Sequence, residues 1–261
     1  LKKIFNFINK KKINFIDTAF SYKDSEKKIG KYKKSKINII TKIPKFPNKN
    51  INLHKWIKKL IDNSLKNLKT NKLYAILFHN PEDLYDKKRS SIVLKYLILL
   101  QKKKIIKKIG ISVYSIHEMK RCFSRHNFQL VQFPINVIDQ RISKNNFLKI
   151  LKKRNVELHG RSIFLQGLLL KDPEKNMKRL KYLQKPLKIF EKITEKKKIS
   201  KLEYCIKYAF SNDVVDKFVI GINDYNQLSQ ITKVIENIKK NYFSIKLINV
   251  KKKFILNPKN W

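Results

Sequence analysis

Two hydrophobic periods alternate along the chain. "INII" (37–40), "LYAILF" (73–78), "IGISV" (109–113), "LVQF" (130–133) and "FVIG" (218–221) are short apolar runs of the buried-strand kind. Between them lie stripes at helical spacing. The longest runs through Leu53, Trp56, Ile57, Leu60, Ile61, Leu65 and Leu68 and predicts a helix with one apolar face. Another starts at Ser200, where "SKLE" has the form of a capping box with Glu203 at the third helical position, and continues through Cys205, Ile206, Ala209 and Phe210. At the start, Leu1, Ile4, Phe5 and Ile8 fall at i, i+3, i+4 and i+7, so the basic opening "LKKIFNFINKKK" reads as an amphipathic helix rather than a targeting segment.

Strand and helix in strict alternation argue for parallel βα units. No linker rich in Gly, Pro or Ser interrupts them, and the Pro-bearing stretch 171–186 reads as a long loop inside a single domain spanning residues 1–261. A chain of 261 residues accommodates two small domains or one α/β barrel. The glycines favour the barrel. There are five, and none forms the G-x-G-x-x-G cluster that a dinucleotide-binding open sheet places after its first strand.

Composition changes the picture less than its extremity suggests. Lys and Arg number 62 against 19 acidic residues, a net charge of +43. Such a balance points to polyanions when it is clustered. Here it is spread over nearly every segment, alongside heavy use of Asn and Ile, which reads as a chain-wide bias of the kind an AT-rich genome imposes. A nucleic-acid binder needs basic residues interleaved with exposed aromatics, and the aromatics here lie within apolar stripes. Cys122 and Cys205 have no metal-like or C-x-x-C spacing, His54, His117, His126 and His159 show no ligand spacing, and no apolar run is long enough to cross a bilayer. These features predict a cytoplasmic protein with reduced thiols, no metal, no membrane span and no specific nucleic-acid partner.

Polar residues recur at the C-terminal ends of the strands: Asp17 after "NFI", Lys42 in "INIITK", His79 after "LYAILF", Ser112 after "IGI" and Gln132 after "LV". In a parallel barrel such ends converge on one mouth. In order, "FIDTAFSYKDSEKKIG", "TKI", "SLKNLKTNKLYAILFHNPEDL", "KKIGISVYS", "VQFPINVIDQR" and "FVIGINDYNQL" resemble the successive signatures of the aldo-keto reductase family.

The resemblance implies a parallel (β/α)8 TIM barrel that binds a nicotinamide cofactor, NADPH by preference, and reduces an aldehyde or ketone to an alcohol. It carries the family's tetrad onto Asp17, Tyr22, Lys42 and His79: Tyr22 as proton donor, Lys42 as its activator, Asp17 as partner of Lys42, and His79 orienting the carbonyl oxygen. For the cofactor it implies Ser112 and Gln132 at the nicotinamide carboxamide, with Val113 where the family has Asn. Arg161 stands at the stacking position, followed by Ser162, with Gly167 allowing close backbone approach. Gly221, Asn223 and Gln227 fall at the adenosine end; the family often has a basic residue in place of Asn223 and an Asn in place of Ile231. "RSIFLQGLLL" is similar to stretches in reductases of bacterial surface-sugar pathways, which points to a sugar-derived carbonyl. The family normally begins with a strand before the first helix, so seven strands are expected in this chain. The alternative is a non-catalytic member of the family that binds cofactor or a protein partner.

Overall fold

The computed structural model describes residues 1–33, 37–172 and 181–238, together with residues 248, 250 and 256. They divide into two compact units, Leu1–Gln132 with Arg154–Glu157, and Phe133–Lys153 with Leu158–Trp261.

The first unit opens with α1 (Lys2–Lys10), which buries Phe5 and Ile8 as the stripe predicts, while Leu1 stays outside as the N-cap. It continues through β1 (Phe15–Asp17), α2 (Ser25–Tyr32), β2 (Asn38–Ile43), α3 (Leu53–Asn67), β3 (Leu73–Phe78), α4 (Lys87–Lys102), β4 (Ile106–Ser112), α5 (Ile116–Phe123) and the first residues of β5 (Leu130–Pro134). The α3 stripe behaves as expected: Leu53, Ile57, Leu60, Ile61 and Leu68 are buried, and Asn52 caps the helix by accepting from the Lys55 amide.

The second unit contains α6 (Phe147–Lys153), most of β6 (Glu157–Arg161), α7 (Lys181–Lys196), α8 (Lys201–Phe210), β7 (Lys217–Val219) and α9 (Tyr225–Asn237). Two expectations are corrected here. The stretch 171–186 is not all loop, because α7 begins by Lys181 and carries Pro186 inside it; residues 173–180 lie outside the described residues. Leu183, Leu187, Phe190 and Ile193 are buried along one face of α7, and that burial outweighs the backbone hydrogen bond Pro186 cannot make. Phe210 is 45% exposed rather than part of the buried face of α8, and its ring stacks on Phe218 at 5.5 Å. Ser200 caps α8 with its hydroxyl accepting from the Glu203 amide at 3.1 Å, while the Glu203 carboxylate pairs with Lys207 rather than closing the box.

The strands follow the order β1-β2-β3-β4-β5-β6-β7, and the ladders whose register is defined are parallel. A doubly wound sheet reverses its order at a switch point, whereas a (β/α) barrel runs straight through. The fold is therefore of the parallel (β/α)8-barrel class, with seven strands among the described residues. Within those residues β1 pairs only with β2 and β7 only with β6.

In the first unit, one face of the sheet carries an apolar layer of Ile40, Ala75, Leu77 and Leu130, with Phe15 and Tyr74 packed against it. Gly110 lies in register between Leu77 and Leu130. A Cβ there would stand 2.3 Å from the Leu130 carbonyl oxygen and 2.6 Å from Leu77 Cδ2, so only glycine lets the layer close. Two residues further along each strand the same face turns polar: Lys42 beyond Ile40, Ser112 beyond Gly110, Gln132 beyond Leu130.

Candidate active site

Asp17 closes β1 and Lys42 sits near the end of β2, so the parallel pairing brings both to one end of the sheet. Lys42 Nζ forms an ion pair with Asp17 Oδ1 and donates to the Thr18 carbonyl at 2.9 Å. The pair is dry, with Lys42 3% and Asp17 13% exposed. Charges so far from water are tolerated only where each has partners. Asp17 has a second one, since Gln132 Nε2 donates to its Oδ2 at 2.6 Å. Gln132 itself is fully buried, and its Oε1 has no hydrogen-bond partner among the described residues.

Tyr22 is delivered by the loop after β1. That loop is tied to β2 by Thr18 N–H to the Ile40 carbonyl at 2.8 Å and Phe20 N–H to the Lys42 carbonyl at 3.2 Å. A turn then closes from Tyr22 N–H to the Ala19 carbonyl at 3.0 Å, and the Thr18 and Ser25 hydroxyls meet at 3.0 Å. The phenol ring is 46% exposed, with Lys42 Nζ at 5.4 Å from its centroid. His79 follows β3, its amide donating to the Ile43 carbonyl at 3.1 Å, and its ring stands edge-on to Tyr22 at 5.8 Å between centroids. Asp17, Tyr22, Lys42 and His79 thus form one cluster within the first unit. Ser112, which is buried, pairs in register with Gln132, and Val113 N–H donates to the Gln132 carbonyl at 2.9 Å.

The remaining positions belong to the second unit. Arg161 ends β6; its carbonyl accepts from Ile135 N–H at 2.9 Å, and its Nη1 donates to Ser162 Oγ at 3.4 Å. The backbone after it is contorted, with Ser162, Leu165, Gln166 and Gly167 all at positive φ. At α9, Asp224 Oδ1 accepts from Gln227 N–H at 2.9 Å while Gln227 Oε1 accepts from Asn223 N–H at 2.9 Å. Asp224 and Gln227 therefore build a reciprocal cap of the helix start, to which Asn223 contributes its backbone N–H. Gly221 has open space where a side chain would go. Ile231 is buried.

One residue that supports the site is invisible as chemistry in the sequence. Glu26, on the same helical face as Ile29 and Gly30, is 3% exposed and accepts from Thr41 Oγ1 at 2.7 Å and from Ser64 Oγ at 2.9 and 3.0 Å. It ties α2, and with it the Tyr22 loop, to β2 and α3. Its position three and four residues before Ile29 and Gly30 is the available signal. Outside the cluster, burial pushes the Cys122 thiol up to about 12 and Cys205 higher still, which leaves both inert. Among the described residues no helix is long and apolar enough to cross a membrane.

A search of curated protein sequences finds no match. Among solved structures the chain is similar to the aldo-keto reductase AKR11C1 from Bacillus halodurans in its holo form, at 19% identity and a TM-score of 0.76, covering 92% of this chain and 83% of that one. It is also similar to the glycerol dehydrogenase AKR11B4 from Gluconobacter oxydans, at 18% identity and a TM-score of 0.63 over 93% of this chain and 88% of that one. A third is the thermostable aldo-keto reductase Tm1743 in complex with the inhibitor epalrestat, at 19% identity and a TM-score of 0.68 over 92% and 82%. At these identities the structures speak for the fold alone. The family model for the aldo/keto reductase family matches residues 3–249, nearly the whole chain, and by that match the chain belongs to the aldo/keto reductase family, whose members are oxidoreductases acting on carbonyl compounds.

Proposed function

We propose that this chain reduces an aldehyde or ketone to an alcohol with NADPH, using Tyr22 as the proton donor. The observation that carries the reading is the buried Asp17–Lys42 pair with its ammonium 5.4 Å from the Tyr22 ring. When hydride reaches a carbonyl carbon, the oxygen becomes an alkoxide and needs a proton from a group within hydrogen-bond reach. A phenol, ordinarily titrating near ~10, is a weak acid at neutral pH, and a neighbouring ammonium favours its phenolate. Lys42 supplies that charge, Asp17 holds Lys42 in place, and His79, edge-on to Tyr22, orients the carbonyl oxygen. The O–H bond of Tyr22 breaks as the alcohol O–H forms, and the half-exposed phenolate recovers its proton from solvent.

The residues fit a nicotinamide: Gln132 Oε1 is an unfilled buried acceptor beside the register position of Ser112, which suits the two polar ends of a carboxamide. Bound there, the cofactor supplies the hydride. Arg161, Ser162, Gly221, Asn223 and Gln227 are proposed as further cofactor positions, and the preference for NADPH over NADH is proposed with them, on family likeness. A sugar-derived carbonyl is the proposed substrate class on the same basis, and the cytoplasm is the proposed location from the isolated, reduced cysteines. Fluorescence titration with NADPH and with NADH tests the reading. Saturable binding, tighter for NADPH, is expected, and failure to bind either would remove it.

A further inference from the structure

Gln132 touches more than a cofactor position. Its side chain is buried in the middle of β5, yet its Nε2 donates to Asp17 Oδ2 at 2.6 Å while Asp17 Oδ1 holds Lys42. Its other end, Oε1, lacks a partner among the described residues. An amide with its N–H engaged by a carboxylate has its orientation set, because a flip would turn a carbonyl oxygen onto a negative charge.

We propose that Gln132 is a positioning residue for proton transfer, which by donating to Asp17 governs how much of the Lys42 charge reaches Tyr22. The inference rests on the reading of Tyr22 as the proton donor. A carboxylate that also accepts from an amide has part of its charge compensated, so it cancels less of the field of its lysine partner. Without the amide, the full charge of Asp17 falls on Lys42 and the phenolate of Tyr22 becomes harder to form. Among the described residues, Lys42 from β2 lies 5.4 Å and His79 from the end of β3 lies 5.8 Å from the Tyr22 ring, and Asp17 from β1 is paired with Lys42. Gln132 acts on the last of these. Because the same amide offers Oε1 to a carboxamide, a cofactor held there would also pin Nε2 on Asp17, coupling occupancy of the site to the acidity of the donor.

The test follows the Tyr22 phenol by NMR of the full chain labelled with tyrosine ¹³Cζ, without cofactor or substrate, the signal being identified by its loss in Tyr22→Phe. Gln132→Met, close in size and without the donor, should raise the Tyr22 titration midpoint by about half a unit or more. Gln132→Leu, which also lacks the donor, should raise it by a similar amount. An unchanged midpoint in either folded variant overturns the proposal. So does a weakened affinity for NADPH with no movement of the midpoint, the signature of a glutamine that only holds cofactor. A shifted midpoint in a chain that binds neither NADPH nor NADH supports the positioning role and sinks the reductase reading, so the two fail separately.

Discussion

Two polar clusters, one in each unit, are held differently. In the first, Asp17 joins the buried Lys42 and Gln132 across β1, β2 and β5, so each is held by a partner distant in sequence. In the second, Asn223, Asp224 and Gln227 are bonded within five residues of chain, at an exposed helix start. Buried tertiary contacts fix geometry and make every member expensive to lose, whereas local caps are cheap and interchangeable. Chemistry that needs placement to a fraction of an ångström belongs with the first kind of support.

The largest effects should therefore come from the first unit. Lys42→Met leaves Asp17 without its ion-pair partner and should cost about 3–5 kcal/mol of stability, measured by denaturant unfolding, as well as abolishing turnover. Tyr22→Phe separates the two roles. Nearly half exposed, Tyr22 carries little of the fold, so its loss should change stability by no more than about 0.5 kcal/mol while lowering turnover by about 10²–10⁴-fold. Equal stability losses in the two variants would erase the distinction.

Glycines sharpen the comparison. A Cβ on Gly30 would lie 2.1 Å from the Asn67 carbonyl oxygen, where α2 meets the end of α3, while one on Gly221 meets nothing within 4 Å. Gly30→Ala should cost about 1–3 kcal/mol, and Gly221→Ala no more than about 0.5 kcal/mol. A costly Gly221→Ala would contradict the open space at that position.

Smaller effects concern cofactor and thiols. If Arg161 stacks on nicotinamide, Arg161→Tyr should tighten the cationic oxidised cofactor relative to the reduced one, because a cationic ring prefers an aromatic face to a guanidinium; the ratio of the two dissociation constants decides it. Cys122 and Cys205 should resist alkylation at pH 8 in the folded protein and react once it is unfolded, since burial keeps both protonated.

What the sequence reveals follows the same division. Apolar runs locate β2, β3, β4 and β5 because most of their residues are buried on both faces, whereas β7 is located by its run although its residues are only half-buried. β6 escapes that reading. "ELHGR" has charge at both ends, and its Glu157 is buried only because Tyr74 Oη and Lys108 Nζ, from β3 and β4, donate to it at 2.6 and 2.5 Å. Glu26 hides for the same reason, among lysines that make any glutamate look solvated. The four residues of the proposed tetrad are legible by motif order, but the Gln132–Asp17 bond joins positions 115 apart, and no local pattern records such a pairing. Pro186 misleads in the opposite direction, as a local signal overruled by the apolar face of α7.

The central claim, that Tyr22 beside the Asp17–Lys42 pair protonates a carbonyl substrate, is tested most directly by single-turnover oxidation of bound NADPH in the parent and in Tyr22→Phe, mixed rapidly with an aldehyde and followed by cofactor fluorescence. The account predicts rapid loss of fluorescence in the parent and a rate at least about 10²-fold slower in the variant, with NADPH affinity unchanged within a few-fold. Equal rates in the two proteins would contradict it.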